Sequence, residues 1–369
     1  MHADVSAPER GPDVDVVVAV HDVRRPVARA VGSALRNRAR VRVTVVCHEI
    51  GAHSVAPLLD GLGEGVRVLE HRDGVRSPAG PFNHGLDSAT APFTSVLGSD
   101  DALEPGAVDS WLRTARRDRA DVVVARVRHE AGPPMRTPPA RPWRRAHLDG
   151  VRDRLAYRSA PLGLVSTARF GALRFTPDVE VGEDISYVHA LWFSSAAVSL
   201  DRGPAYVVMD DTAGRVTRES RPVGTELAYV PRVVRELRDL PQDVRDAVVR
   251  KLVRIHVFGA VHNRPDATAW GPDDRTALRK ATVELLGAAP RAAAPFSRAD
   301  RALLDAVLDT TVGADVLVAA SVARRRFGRP GTLVPRDVRW SFHREAPLRF
   351  MVASALAGRS RPTRGAGAA

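Results

Sequence analysis

Residues Val14 to Val20 form an apolar run interrupted only by Asp15, and this run narrows the folds open to the chain more than any other feature. A strand with one wet face alternates apolar and polar residues. A continuous run fits a strand buried on both faces, as in the parallel sheets of α/β proteins. Pro26 then opens a helical pattern carrying Val27, Val31, Ala34 and Leu35. The alternation repeats: Val41 to Val46 reads as a second strand, Val55, Leu58, Leu59 and Leu62 recur at helical spacing, and Val66 to Leu69 reads as a third strand. Pro81 to Ala91 reads as a helix, followed by a strand ending at Asp100-Asp101. A helix around Val108 to Leu112 leads to a strand from Asp121 to Ala125. Strands alternating with helices predict an α/β unit with a mainly parallel sheet.

From Glu130 to Arg145 the pattern dissolves, because Pro133, Pro134, Pro138, Pro139 and Pro142 forbid regular structure. An exposed loop rather than a domain linker is expected there, since the α/β pattern resumes with a short strand at Leu162 to Thr167, a helix at Ile185 to Phe193 and an edge strand at Ala205 to Met209. Beyond Pro222 apolar residues recur only at helical spacing, in Val244 to Val261, Leu278 to Leu286 and Leu303 to Leu317. The expected organisation is a disordered amino terminus (1–13), an α/β domain (14–220), an all-helical domain (221–358) and a disordered basic tail (359–369).

The net charge of +12 rests almost wholly on arginine, Lys251 and Lys280 being the only lysines. Such a balance reflects either genome composition or attraction to an anionic partner. Charge alone would suit nucleic acid, but no zinc spacing, basic heptad or aromatic-basic platform accompanies it, so nucleic acid is not expected. A single cysteine, Cys47, excludes an internal disulfide and reads as a small core residue. Met1 to Pro12 lacks the apolar centre of a signal peptide, and no run approaches the ~18 apolar residues of a membrane span. A cytoplasmic protein is expected, with arginines that allow peripheral contact at the inner face of the cell membrane.

Two acidic pairs carry the chemistry. Asp100-Asp101 ends an apolar strand, where parallel sheets present ligand groups and where paired carboxylates suit a hard cation bridged to phosphate. Glu183-Asp184 follows Val181-Gly182 at the start of a helical pattern. Each pair has a structural alternative as a helix cap or an acidic first turn. Asp210-Asp211 reads as a turn and Asp273-Asp274 as capping. Trp192, at helical spacing from Val188, reads as core, and Trp143 as an aromatic that could stack on a sugar. A dinucleotide-binding oxidoreductase is excluded, since His21-Asp22-Val23-Arg24-Arg25-Pro26 stands where Gly-x-Gly-x-x-Gly would be needed.

Several motifs in order resemble one family. Val16 to Asp22, Pro26 to Leu35, Gly80 to Leu86 with Asn83 and Gly85-Leu86, Gly98-Ser99-Asp100-Asp101-Ala102-Leu103-Glu104-Pro105, and Gly182-Glu183-Asp184 are similar to the inverting, nucleotide-sugar-dependent glycosyltransferases of family 2, over residues 14 to 210. The resemblance implies a GT-A, Rossmann-like domain. It implies that Asp101, with Asp100, holds Mg²⁺ or Mn²⁺ on the donor diphosphate. It implies that Asp184 is the catalytic base with Glu183 beside it, and that Val20, His21, Asp22, Glu49, Arg76, Asn83 and Asp100 border the nucleotide sugar. A UDP-sugar is the favoured donor. A polyanionic or lipid-linked glycan of the cell envelope would suit the charge as acceptor, and the helical domain would shape the acceptor site or mediate self-association. The sequence departs from the family pattern at Gly98, which replaces an acidic residue, and at His48, where an acidic pair is usual. These departures leave open a catalytically degenerate relative.

Overall fold

A computed structural model describes residues 11–210 and 221–358. The expected disorder of residues 1–10 and of the tail from 359, and Asp211 of the Asp210-Asp211 turn, lie outside the described residues. Asp13 is pinned to Arg40, its Oδ1 3.0 Å from the guanidinium.

The first apolar run forms β1 (Val14–Val20), which pairs in parallel with β2 (Val41–His48) and β4 (Phe93–Gly98), while β2 pairs in parallel with β3 (Val66–His71). With β6 (Val122–Val124), β8 (Gly163–Ser166) and β9 (Val198–Leu200) they complete a seven-stranded sheet in the order β3-β2-β1-β4-β8-β6-β9. Only β8 runs antiparallel to its neighbours. Val14, Val16, Val18 and Val20 face a core covered by the helices Val27–Leu35 and Ala107–Asp118. Val17 faces a second core beneath the helices Ala79–Asp87 and Ile185–Trp192. Burial on both faces is thus what the unbroken valine run encodes. Its one charge, Asp15, is buried but saturated by the Arg42 guanidinium (2.6 Å) and the amides of Thr90 and Ala91.

Several elements differ from expectation. The second helical stretch is only two short turns, Ala52–Val55 and Ala56–Leu59, ended by Gly61 and Gly63, both at positive φ. The helix expected around Val108 to Leu112 spans Ala107–Asp118, and before it Ala102-Leu103 forms β5, a strand that pairs with β10 (Tyr206–Val208). Nor is β10 an edge strand. It lies between β5 and β7 (Val127–His129) in a small three-stranded sheet. The proline-rich stretch is irregular, as expected, but Pro138 to Ala140 are buried rather than exposed.

Beyond Pro222 no strand forms among the described residues. The helices Val230–Leu237, Gln242–Leu252, Pro272–Ala288, Arg298–Leu308 and Ala314–Arg324 enclose a core of their own. The pattern expected as one helix at Leu303 to Leu317 is two, divided at Gly313. Asp274 accepts the Val223 amide (2.7 Å), so it serves the start of a neighbouring short helix. Ile185 of the α/β part is built into this helical core, which places Glu183 and Asp184 at the junction. Trp192 is core, its Nε1 donating to the Arg158 carbonyl. Cys47 is buried, and burial pushes its thiol up to about 11. No helix among the described residues is long and apolar enough to cross a membrane.

Candidate functional site

Strand β4 ends at Gly98, and the Asp101 amide donates to the Gly98 carbonyl (3.1 Å), closing a tight turn that carries Asp100 and Asp101. The next helix starts after Gly106, so neither aspartate caps it. Asp101 is instead held from two sides. The Tyr206 hydroxyl donates to its Oδ2 (2.6 Å) and the Met209 amide to its Oδ1 (3.2 Å), while the same hydroxyl accepts from the Gly98 amide (3.0 Å). Asp100 is paired with Arg25 at 2.7 Å, and Arg29 donates to its carbonyl. The departure at Gly98 has a steric reason. A Cβ there would stand 2.8 Å from Asp101 Oδ2 and 3.2 Å from Asp100 Oδ1.

At the carboxyl ends of β1 to β3 the expected donor residues divide. Val20 gives its side chain to the core, and His21 is exposed. Asp22 is engaged within its own turn by the Arg24 guanidinium (2.6 Å) and amide (2.9 Å), which hold its carboxyl down at about 2. Glu49 adopts a left-handed backbone (φ 58), and its Oε1 accepts the amides of Asp73 (2.8 Å) and Gly74 (2.9 Å). Arg76 is exposed on the following loop. Asn83 clasps the backbone of Phe175 from both sides, donating to its carbonyl (3.0 Å) and accepting from its amide (2.8 Å). It therefore braces the segment leading to Glu183 rather than a loop of the β sheet. Two residues on, Gly85 lets this helix lie directly on the sheet, for a Cβ there would meet Val17 at 2.2 Å.

Gly182 has φ +80, and any Cβ would stand 2.5 Å from the Tyr229 ring. This position admits glycine because of its backbone and its neighbour alike. Asp184 precedes the helix Ile185–Trp192 without capping it through its side chain. Both acids are partly buried. Loss of solvation and the Asp184 charge push Glu183 up to about 8; loss of solvation pushes Asp184 up to about 6, opposed by Lys251. Lys251, from the helix Gln242–Leu252, is wholly buried with its Nζ 2.9 Å from His256 Nε2. Desolvation brings it down to about 8. Around it the His189 Nε2 and Tyr229 hydroxyl are buried without a hydrogen-bond partner.

Three residues of this region escape sequence reasoning. Tyr206 looks like strand core, Arg25 is one arginine among many, and Lys251 lies on a different part of the chain. The rarity of lysine here is the one signal that could have singled out Lys251.

Helices covering both faces of a mainly parallel sheet, with acidic groups beyond its strand ends, are features of the GT-A class of fold. Residues 15–173 match the model of the family described as Glycosyl transferase family 2. The succinoglycan biosynthesis protein ExoO of Rhizobium meliloti (strain 1021) is 28% identical over 116 residues, which is 31% of this chain and 33% of that protein. The match thus spans about a third of that relative's length. Among solved structures, S. aureus TarS 1-349 in complex with UDP-GlcNAc aligns with a TM-score of 0.69 at 14% identity, covering 85% of this chain and 91% of that one. A crystal structure of S. aureus TarS aligns at 0.66 and 15% identity, covering 85% and 55%. Residues 15–173 thus resemble glycosyltransferase family 2, and the fold is a GT-A domain followed by a helical carboxyl-terminal region. Asp100 and Asp101 fall inside the family match, whereas Glu183 and Asp184 lie just past its end.

Proposed function

We propose that this chain is an inverting glycosyltransferase that moves a sugar from a UDP-sugar to an acceptor hydroxyl in glycopolymer synthesis. The observation that carries the reading is the contrast between the two acidic pairs. Asp101 is fixed by hydrogen bonds at the end of β4, and Asp184 is made more basic by burial at the junction with the helical region. The UDP preference draws on the structural neighbours solved with UDP-GlcNAc and with UDP, and the glycopolymer class on ExoO.

In this reading the Asp184 carboxylate takes the proton of the acceptor hydroxyl as its oxygen bonds to the anomeric carbon. The bond from that carbon to the diphosphate breaks on the opposite face, and the electron pair leaves with the nucleoside diphosphate. A base whose pKa lies nearer the working pH transfers protons more effectively, which is what burial gives Asp184. Glu183 lies beside it and positions it. Mg²⁺ or Mn²⁺ suits the donor set: Asp101 offers hard oxygens, and Mg²⁺ is commonly held by one or two carboxylates together with substrate phosphates. When bound, such an ion neutralises charge on the departing diphosphate. Arg25 and Arg29 hold the turn that carries Asp100, and His21, Asp22 and Arg76 border the nucleotide. The arginine excess suits a polyanionic or lipid-linked acceptor and an enzyme working at the cytoplasmic face of a membrane, with the helical region walling the acceptor side.

Calorimetric titration with nucleoside diphosphates, with and without Mn²⁺, tests this on wild type, Asp101→Ala and Asp184→Asn. UDP should bind in a metal-dependent way, Asp101→Ala should lose that binding, and Asp184→Asn should keep it while abolishing transfer. Retained turnover in Asp184→Asn removes it as the base. Absence of any nucleotide binding moves the chain to a non-catalytic member of the family.

A further inference from the structure

The ends of β2 and β3 gather a second set of ligating groups, His48, Glu49 and Asp73, of which Glu49 is also the residue that the family resemblance sets beside the nucleotide. His48, the last residue of β2, is buried, and its Nε2 lies 2.9 Å from Asp73 Oδ1 and 3.9 Å from Glu49 Oε1. All three ligand atoms lie within 4.8 Å of one another. A tetrahedral ion with bonds of about 2.0–2.1 Å has ligand atoms about 3.3 Å apart, within the span observed.

We propose that His48, Glu49 and Asp73 bind a divalent transition ion of the zinc class, at a site separate from Asp100 and Asp101. One imidazole with two carboxylates suits such an ion better than the all-oxygen sets preferred by Mg²⁺ or Ca²⁺. The imidazole comes from the dry side, with 8% of its side chain exposed, while Asp73 and Glu49 stand at the mouth at 27% and 46%. Three protein ligands leave one position open to solvent or to a ligand, the pattern of zinc sites that do more than hold a fold together.

The surroundings are built to hold these groups. His71 Nε2 lies 3.1 Å from the other Asp73 oxygen, and His71 Nδ1 lies 3.3 Å from His84 Nδ1, so two further histidines orient the carboxylate. Gly80 leaves them room, for a Cβ there would stand 2.1 Å from Asp73 Oδ2 and 2.5 Å from His71 Nε2. Glu49 takes an unfavourable left-handed backbone for a residue with a Cβ, and the amides of Asp73 and Gly74 fix its Oε1, the oxygen that stands 3.9 Å from His48 Nε2.

Titration of the tag-free chain with Co²⁺, read by visible d–d absorption, followed by displacement with Zn²⁺, tests the site. Equimolar binding with the strong absorption of four-coordinate cobalt is expected. Asp101→Ala should retain it. His48→Gln, which keeps a donor toward Asp73 but no imidazole, should abolish it. His71→Ala should weaken it about 10- to 100-fold, the usual cost of removing an outer-shell partner. Circular dichroism and melting curves confirm that each variant is folded. Absence of stoichiometric cobalt binding overturns the proposal. So does binding that survives in folded His48→Gln, which would place the ion on other residues.

Discussion

Tyr206 shows how much of the candidate donor site rests on one hydroxyl. It donates to Asp101 and accepts from Gly98 in the same turn. Tyr206→Phe keeps the ring in its core but takes one hydrogen bond from the part-buried Gly98 amide and one from the Asp101 carboxylate. A loss of about 1–3 kcal/mol in denaturant unfolding is expected, together with weaker Mn²⁺-dependent nucleotide binding by calorimetry. A variant destabilised by that amount with unchanged nucleotide affinity would show that the hydroxyl supports the fold only. The Glu183-Asp184 pair makes a prediction about pH. Both carboxyls are raised above their ordinary values, so the folded chain holds their protons more tightly than the unfolded one. Stability from this source is fully present below about pH 4, the ordinary carboxyl range. It is lost as pH rises through about 6 and about 8, the folded values. Glu183→Gln removes the second charge and should melt higher than wild type at pH 8.5, by ~2–4 °C for each kcal/mol relieved, with little difference at pH 4. An equal shift at both pH values would mean that Glu183 is not raised.

Among the elements, the helix that begins at Gln242 contains the least foreseeable feature, a π stretch at Val253–Val257 before it resumes as Phe258–His262. Residues five apart on an α-helix point about 140° away from each other, whereas a wider π turn brings them closer to one side. Lys251 and His256 are five apart and meet at 2.9 Å. The widened turn thus accompanies a buried ammonium whose charge favours the ionised form of Asp184. Lys251→Met removes that charge, and the acidic limb of the pH profile of kcat/KM should move up by about one pH unit or more, with UDP affinity unchanged. A profile that stays in place would reduce Lys251 to packing. Nothing in the local sequence announces the π stretch, since its residues continue the helical apolar pattern. The elements that were legible were those specified by their own residues. The valine run of β1 dictated burial on both faces. What escaped was set by partners far along the chain, as with Tyr206 and Asp101, 105 residues apart. It was likewise pairing with β5 and β7 that moved β10 from the edge of a sheet to its centre.

At the scale of the whole molecule, the α/β and helical parts are joined by a buried charge network as well as by Ile185. Glu345 lies between Arg154 of the α/β part (3.0 Å) and Arg254 of the π stretch (3.2 Å), each with under a tenth of its side chain exposed. The Tyr157 hydroxyl accepts from Arg254 and donates to Glu345. Phe350 lies beneath both guanidiniums and Phe296 beneath that of Arg254. One carboxylate thus serves two cations that have little access to water, and the aromatic faces supply part of the missing stabilisation. Removing one partner of a buried ion pair costs far more than the pair contributes net, because the remaining charge stays desolvated. Glu345→Gln leaves two such charges with a neutral acceptor and should lower the unfolding free energy by about 3–5 kcal/mol. Since Asp184 stands where the two parts meet, the loss should reach the candidate site as well. Chemical denaturation followed by Trp111, buried in the α/β core, and by Trp270, buried in the helical core, separates the alternatives, with single-tryptophan variants reporting each part. If the network couples the two parts, both probes report one transition in wild type, and in Glu345→Gln the helical probe melts first while transfer activity falls with it. Two transitions already present in wild type would mean that the parts unfold independently, and a Glu345→Gln curve that shifts without separating would mean that the apolar junction around Ile185 holds them together on its own.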